Sequence, residues 1–393
     1  MSSFDAMWGA LEPVGRDPGS GGYRRFAWTP TDAVLREWFT GEATARGLDV
    51  TCDRAGNLWA WTADPDTYGP GLVLGSHLDS VPDGGAFDGP LGVVSAFAAL
   101  DVLDLAEPAR RASRPIGIAC FADEEGARFG VACAGSRLLT GALDPDRARK
   151  LRDADGVCMA DAMSAAGHDP AHLGRDAHTL DRIGTFVELH VEQGRSLVTQ
   201  DAAVGVAESI WPHGRWRLGL HGRADHAGTT RLADRDDPML ALATAIQEAR
   251  TAAQRHDALA TIGKLRVSPN GVNAIASTVT AWLDARGPVE EDVRAVVADV
   301  AAAAGVDPIE ESWTPATNMD LALRHRLAAL LSAPTLTTGA GHDAGVLAAA
   351  GIPTAMLFVR NPTGVSHSPA EHAEPDDCHA GVDALATVIQ ELG

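Results

Sequence analysis

The sequence predicts an α/β protein in which a larger domain, a mostly parallel sheet flanked by helices, is interrupted by a smaller inserted α+β domain. Three observations carry this. Between Pro70 and Asp123 short apolar runs alternate with helical stretches, beyond about residue 210 the runs alternate apolar and polar positions, and the last ~70 residues return to the first style.

The first run, LVLGSHLDS, is followed by LGVVSAFAALDVLDLA with helical spacing and by IGIACFADEE as a second buried strand. A further strand, GTFVELHVEQG, closes this part near residue 194. WRLGLHGRA and NAIASTVTAWLDARG then read as strands with one wet face, accompanied by helices in DPMLALATAIQEARTAAQ and EEDVRAVVADVAAAAG. GHDAGVLAAAGI reads as a helix and PTAMLFVR as a buried strand, so the outer segments, 1–209 and 323–393, are expected to form one discontinuous domain around an insert at 210–322. No solenoid repeat or low-complexity linker interrupts this pattern.

With 393 residues the chain has length for two or three domains at roughly 100–200 residues each. Lys plus Arg is 32 against 53 for Asp plus Glu, a formal charge of −21 that repels phosphate backbones and anionic lipid, so neither nucleic acid nor membrane is an expected partner. Five cysteines without C-x-x-C spacing argue against a disulfide framework and for a reducing cytosol. The start MSSFDAMWGALEPVG lacks the pattern of a signal peptide, and no apolar stretch approaches the ~20 residues of a membrane span, so a cytoplasmic protein is expected.

The polar residues fall at informative places. His77 ends LVLGSH, Glu124 and Glu125 follow IGIACFAD, His190 ends FVELH and His367 lies just past AMLFVR. In open parallel sheets ligands bind at the carboxyl ends of the strands, so these segments are expected to meet at one rim, with Asp88 folding back from the Gly-rich loop DGGAFDGP. Imidazoles and carboxylates together suit Zn²⁺, Mn²⁺, Co²⁺ or Ni²⁺, and a bridging carboxylate suits two such ions per subunit. Asp79, two residues beyond His77, is placed to orient that ring from behind. Of the adjacent pair Glu124 and Glu125, one can bind metal while the other moves a proton. Any one of these residues alone reads more readily as structural; their joint placement does not. His342 reads as a helix N-terminal residue beside the site, and His168, His172, His178, His372 and His379 as solvated loop residues.

GSHLDSVPDGGAFDGPLGV, ADEEGARFG, ELHVEQG, DHAGTT, NGVNAI, LDARG and SHSPAEH, in this order, resemble the M20 family of metallo-amidohydrolases, specifically its branch of N-carbamoyl-L-amino acid hydrolases and allantoate amidohydrolases. The resemblance spans nearly the whole chain. It implies a dinuclear site in which Asp88 bridges, His77 and His190 hold one cation, Glu125 and His367 hold the other, and Glu124 is the general base. It further implies substrate contacts from the smaller domain: His226 on the oxyanion of the attacked carbonyl, with Asn273 and with Arg286 on a carboxylate. Gln193 and His213 are further candidate substrate contacts, His213 reading equally as a solvated strand entry. The smaller domain is expected to act as a lid and to dimerise, so that His226 acts in its own subunit or from a partner. Against the branch pattern, GARFG replaces Gly-Ser-Arg-Phe, and Arg195 and Arg231 stand where proline is usual. SIWPHGRWR and RNPTGVSHSP also differ, which leaves the acyl group open: carbamoyl or ureido first, N-formyl, N-formimidoyl, other N-acyl compounds or a dipeptide as alternatives, and a catalytically silent metal-binding relative as the third reading.

Overall fold

The computed structural model describes residues 2–105 and 114–393. It divides into two compact units, one formed by Met1–Glu208 with Asn318–Gly393 and the other by Ser209–Thr317. The second junction lies at Thr317, ahead of the expected 322, because the Met319 N–H donates to the Glu208 carbonyl (3.0 Å) and the Asp320 N–H to the Thr354 carbonyl (2.9 Å). Those bonds tie the start of helix Leu321–Leu331 to the outer unit.

The outer unit is built on a sheet whose core is four parallel strands, in the order Ile116–Phe121, Gly71–His77, Ile183–Val191, Thr354–Val359. Every residue of three of these strands is buried, as in Gly71–His77, and the fourth, Ile183–Val191, is buried from Phe186 onward. That is why they read as continuous apolar runs rather than alternating ones. Register places His77 opposite Phe121 and Phe358 opposite His190, so the carboxyl ends share one rim. The antiparallel hairpin Asp49–Cys52/Leu58–Trp61 extends the sheet on one side, and antiparallel Val204–Ile210, itself paired with Thr317–Asn318 and Thr335–Thr338, extends it on the other. The hairpin was not legible beforehand because LWAW, buried at all four positions, shows no period-2 alternation.

Helix Pro90–Val102 runs under the sheet, with proline at its first turn and every residue from Pro90 to Leu100 buried. An all-round apolar helix belongs inside, here between the sheet and helix Pro375–Leu392. That last helix buries Cys378, Val382, Leu385 and Ile389, one stripe at helical spacing. The expected helical run ended at Ala106; the helix ends at Val102, and Ala106 lies outside the described residues.

The inner unit is a four-stranded antiparallel sheet, in the order Ile309–Thr314, His213–His221, Thr278–Arg286, Leu259–Ser268, with helices Pro238–Arg255 and Glu290–Ala304 packed on one face. Thr278–Arg286 alternates strictly, burying Val279, Ala281, Leu283 and Ala285 beneath the helices. A separate two-stranded ladder pairs Asp225–His226 with Ala274–Ile275. Among the described residues no helix is long and apolar enough to cross a membrane, and all five cysteines are unpaired thiols.

Candidate metal centre

The rim gathers two groups of metal-ligating side chains that share one residue: His77, Asp88 and His190, and Asp88, Glu125 and His367. Asp88 Oδ1 lies 3.5 Å from His77 Nε2 and 3.1 Å from His190 Nε2, while its Oδ2 lies 3.4 Å from His367 Nε2. His367 Nε2 is 3.6 Å from Glu125 Oε2. One carboxylate thus presents a different oxygen to each group.

Each member is delivered by local structure. His77 is the last residue of its strand and His190 the last but one of the neighbouring parallel strand; both rings are fully buried. Their Nδ1 atoms face backbone carbonyls, of Asp79 at 3.1 Å and of Val191 at 2.9 Å, which directs Nε2 toward Asp88. Asp88 sits just before Gly89, whose φ of 86° only glycine adopts easily and where a Cβ would lie 2.4 Å from the His77 ring. His367 occupies a left-handed position (φ 55°) on the loop after Thr354–Val359, and half its side chain is exposed.

The residues fit a divalent cation by their own chemistry. His77 Nε2, His190 Nε2 and Glu125 Oε1 are buried with no hydrogen-bond partner, an arrangement that costs free energy unless something is bound there. Against the effect of burial, His190, His367 and His77 hold the Asp88 carboxyl well below the usual range. The hydrogen bond to Asp88 outweighs burial at His367 and raises it to about 9. Burial, reinforced by the Asp88 charge, raises Glu125 to about 7, and burial drives Glu124 well above the usual carboxylate range.

Asp79 acts behind the site in a way its spacing alone did not reveal. Its Oδ1 accepts the Glu124 N–H (3.1 Å) and its Oδ2 the Glu125 N–H (3.0 Å), so one carboxylate fixes the turn that carries both acids. The same Oδ1 is 3.5 Å from His77 Nδ1. Gln193, expected near substrate, directs its Nε2 to Asp88 Oδ2 (2.8 Å) and Ser366 Oγ (3.2 Å). Sequence reasoning missed Glu371, which anchors the backbone of the Asp88 loop through Phe87 and Asp88. Within SHSPAEH nothing but burial, 5% exposed, distinguishes it from a solvated acid.

His342 is the N-terminal flanking residue of helix Asp343–Ala349, its buried ring 4.5 Å from that of His190. It is grouped there with Glu188, whose carboxylate is engaged by Ser76 Oγ and the Ala344 N–H. Two of the other histidines are less solvated than expected, while His172, His178 and His372 are exposed. His168 is half-buried against Trp28 (4.8 Å), and His379 lies in the terminal helix against Phe4 (5.5 Å), because their rings complete aromatic clusters.

In the inner unit His226 pairs with Ala274 across the short ladder, and the Asn273 carbonyl accepts the Ala227 N–H (2.9 Å), so His226 and Asn273 are neighbours. Arg286 ends its strand directly opposite His213 and donates through Nη2 to Asp284 Oδ1 (2.6 Å). His213 Nδ1 faces the Trp211 carbonyl at 2.9 Å.

An α/β unit with imidazoles and carboxylates converging on the carboxyl rim of a parallel sheet defines the zinc-exopeptidase-like class of metal-dependent hydrolases. The profile of peptidase family M20/M25/M40 matches residues 73–391, and the chain belongs to this family. It is 35% identical to an N-carbamoyl-L-amino acid amidohydrolase of Geobacillus stearothermophilus, over 97% of this chain and 96% of that one. It is 31% identical to the allantoate amidohydrolase of Escherichia coli K12, over 97% and 95% respectively. Its fold is similar to a crystal structure of a hydantoinase/carbamoylase family amidase from Burkholderia vietnamiensis, with TM-score 0.88, 27% identity and 99% and 97% coverage.

Proposed function

We propose that this chain is a dinuclear amidohydrolase that cleaves the linear C–N bond of a small carboxylate-bearing ureido compound, an N-carbamoyl-L-amino acid or allantoate. The observation that carries this is the division of Asp88 between two ligand groups, with Glu124 beside them and Glu124 Oε2 3.7 Å from His77 Nε2. His77 and His190 would hold one cation and Glu125 and His367 the other, with Asp88 available to both. When bound, such cations lower the pKa of water from 15.7 toward about 7 and polarise a carbonyl oxygen. Glu124 takes a proton from the attacking water and delivers it to the departing nitrogen. Arg286 clamps the substrate carboxylate, assisted by Asn273 and His213, and His226 donates to the oxygen that gains charge. A carbamoyl substrate plus water yields the free amine and carbamate, which breaks down to ammonia and CO₂.

A homodimer is part of this reading. Arg286 stands at the opposite end of its strand from Thr278, the end near the His226–Asn273 ladder, and eight residues of strand span roughly 26 Å. That separation supports a site in which His226 comes from a partner subunit's lid and Arg286 from the subunit's own. The unpaired thiols support a reducing, cytoplasmic location.

A panel of N-carbamoyl, N-formyl, N-formimidoyl and N-acetyl amino acids, dipeptides and allantoate, assayed for amine and ammonia release with Mn²⁺, Zn²⁺, Co²⁺ or Ni²⁺, tests the proposal. Turnover of a carbamoyl compound or allantoate supports it. Activity confined to formyl, acetyl or peptide substrates moves the assignment to another acyl group, and a fully metallated, inert protein ends it.

A further inference from the structure

Cys133 stands immediately ahead of helix Ala134–Thr140 at φ 53° and ψ 39°, a left-handed conformation that few residues with a Cβ adopt. Its backbone is pinned on both sides. The N–H donates to the Glu124 carbonyl (2.5 Å), and the carbonyl accepts from the Arg137 N–H (2.9 Å) and from Ser136 Oγ (3.2 Å). Ser136 Oγ is also paired with Asp343 Oδ1, its one proton shared between that carboxyl and the Cys133 carbonyl, which links the segment to a second helix. From this backbone Sγ lies 3.2 Å from Glu124 Oε1, with Cys133 3% and Glu124 5% exposed.

We propose that Cys133 is a positioning residue for Glu124: its S–H holds Oε1 so that the carboxylate stays off the cations and Oε2 alone moves the proton. This rests on Glu124 acting as the base. Among the described residues no other side chain makes a hydrogen bond to the Glu124 carboxylate. Without the thiol the carboxylate can rotate about its last torsion, which is broad and soft in glutamate, and swing both oxygens toward His77 and the metal ligands. Burial raises the Cys133 thiol, so it keeps the proton that it can donate to Glu124 Oε1. A residue kept in a strained conformation where glycine fits without cost points to its side chain as the reason.

The test compares wild type with Cys133→Gly, Cys133→Ala, Cys133→Ser and Glu124→Gln, measuring kcat, KM, bound metal and melting temperature on the best substrate of the panel. Glycine suits φ 53°, so Cys133→Gly is expected to fold at least as well as wild type. Its kcat and that of Cys133→Ala should fall roughly tenfold, the scale of one hydrogen bond to a charged group, with KM and metal content unchanged. Cys133→Ser, which restores a donor, should recover most of the loss. A merely structural cysteine predicts instead that Cys133→Gly keeps full kcat. Wild-type kcat in Cys133→Gly alongside an inactive Glu124→Gln overturns the role of Cys133 and leaves the base in place. Loss of metal in Cys133→Gly also overturns it, and an active Glu124→Gln removes the base and the proposal together.

Discussion

Glu371 Oε1 accepts the backbone N–H of Asp88 at 3.0 Å, and the same oxygen accepts that of Phe87 at 2.8 Å. The residue that the two ligand groups share is therefore held by its main chain from one side and by Gln193 and Ser366 on its carboxylate from the other. Ser366 Oγ also lies 3.1 Å from Glu371 Oε2, its one proton shared between Glu371 and Asp88.

Replacing Glu371 by alanine is expected to weaken cation binding about 10–100-fold, the usual cost of losing a group that orients a ligand. Metal retained after dialysis against graded chelator measures this; retention equal to wild type would show that Asp88 needs no such anchor.

Asp79→Ala leaves the buried N–H groups of Glu124 and Glu125 without their acceptor. An unsatisfied buried donor costs about 1–3 kcal/mol, so the variant should unfold at clearly lower denaturant. Its kcat should fall as well, since the turn carrying both acids loosens. A variant as stable as wild type contradicts this account of the turn.

Glu124→Gln keeps the shape of the side chain and removes its basicity. The expected loss in kcat is about 10²–10⁴-fold with both cations retained. Metal analysis beside steady-state kinetics separates this from a binding defect, and substantial residual turnover removes Glu124 from the proton transfer.

The cation-free site should depend on pH in a definite sense. His367 is raised from 6.5 to about 9 by Asp88 and by the Glu125 charge. A cation on its Nε2 must displace that proton, so affinity rises with pH up to about 9 and protons are released on binding near neutrality. For the cation-free fold the sign is reversed. The imidazolium contributes stability that is fully present below pH 6.5 and is lost as pH rises through about 9. Calorimetric Zn²⁺ titrations in buffers of different ionisation heat read the proton count, and affinity that is flat from pH 6.5 to 9 contradicts it.

The parallel core and its rim were legible because buried strands leave unmistakable runs, and each run ended on a residue with metal chemistry, His77 and His190 above all. The inserted unit was legible for the opposite reason, since Thr278–Arg286 alternates cleanly. What escaped was everything set by tertiary contact. Asp79 carries the right residue type at the right place, yet that its oxygens accept two N–H groups 45 and 46 residues away could not be read from spacing. Glu371 is placed by burial and by bonds from Phe87, Asp88 and Ser366, Cys133 by its contact with Glu124, and neither leaves a periodic signal. For Gln193 nothing in the sequence signalled that its Nε2 donates to Asp88 and Ser366.

His367 is half exposed on a loop, while His77 and His190 are sealed at 0%. If the site holds two cations as proposed, that difference in exposure predicts unequal exchange at its two halves. On the proposed two-ion reading, an ion held by Glu125 and His367 would exchange with the medium more readily than one held between the sealed imidazoles. Stripping the holoprotein with chelator should therefore proceed in two phases, and an enzyme isolated from dilute metal should carry a resident ion in the inner berth and await its companion in the outer one.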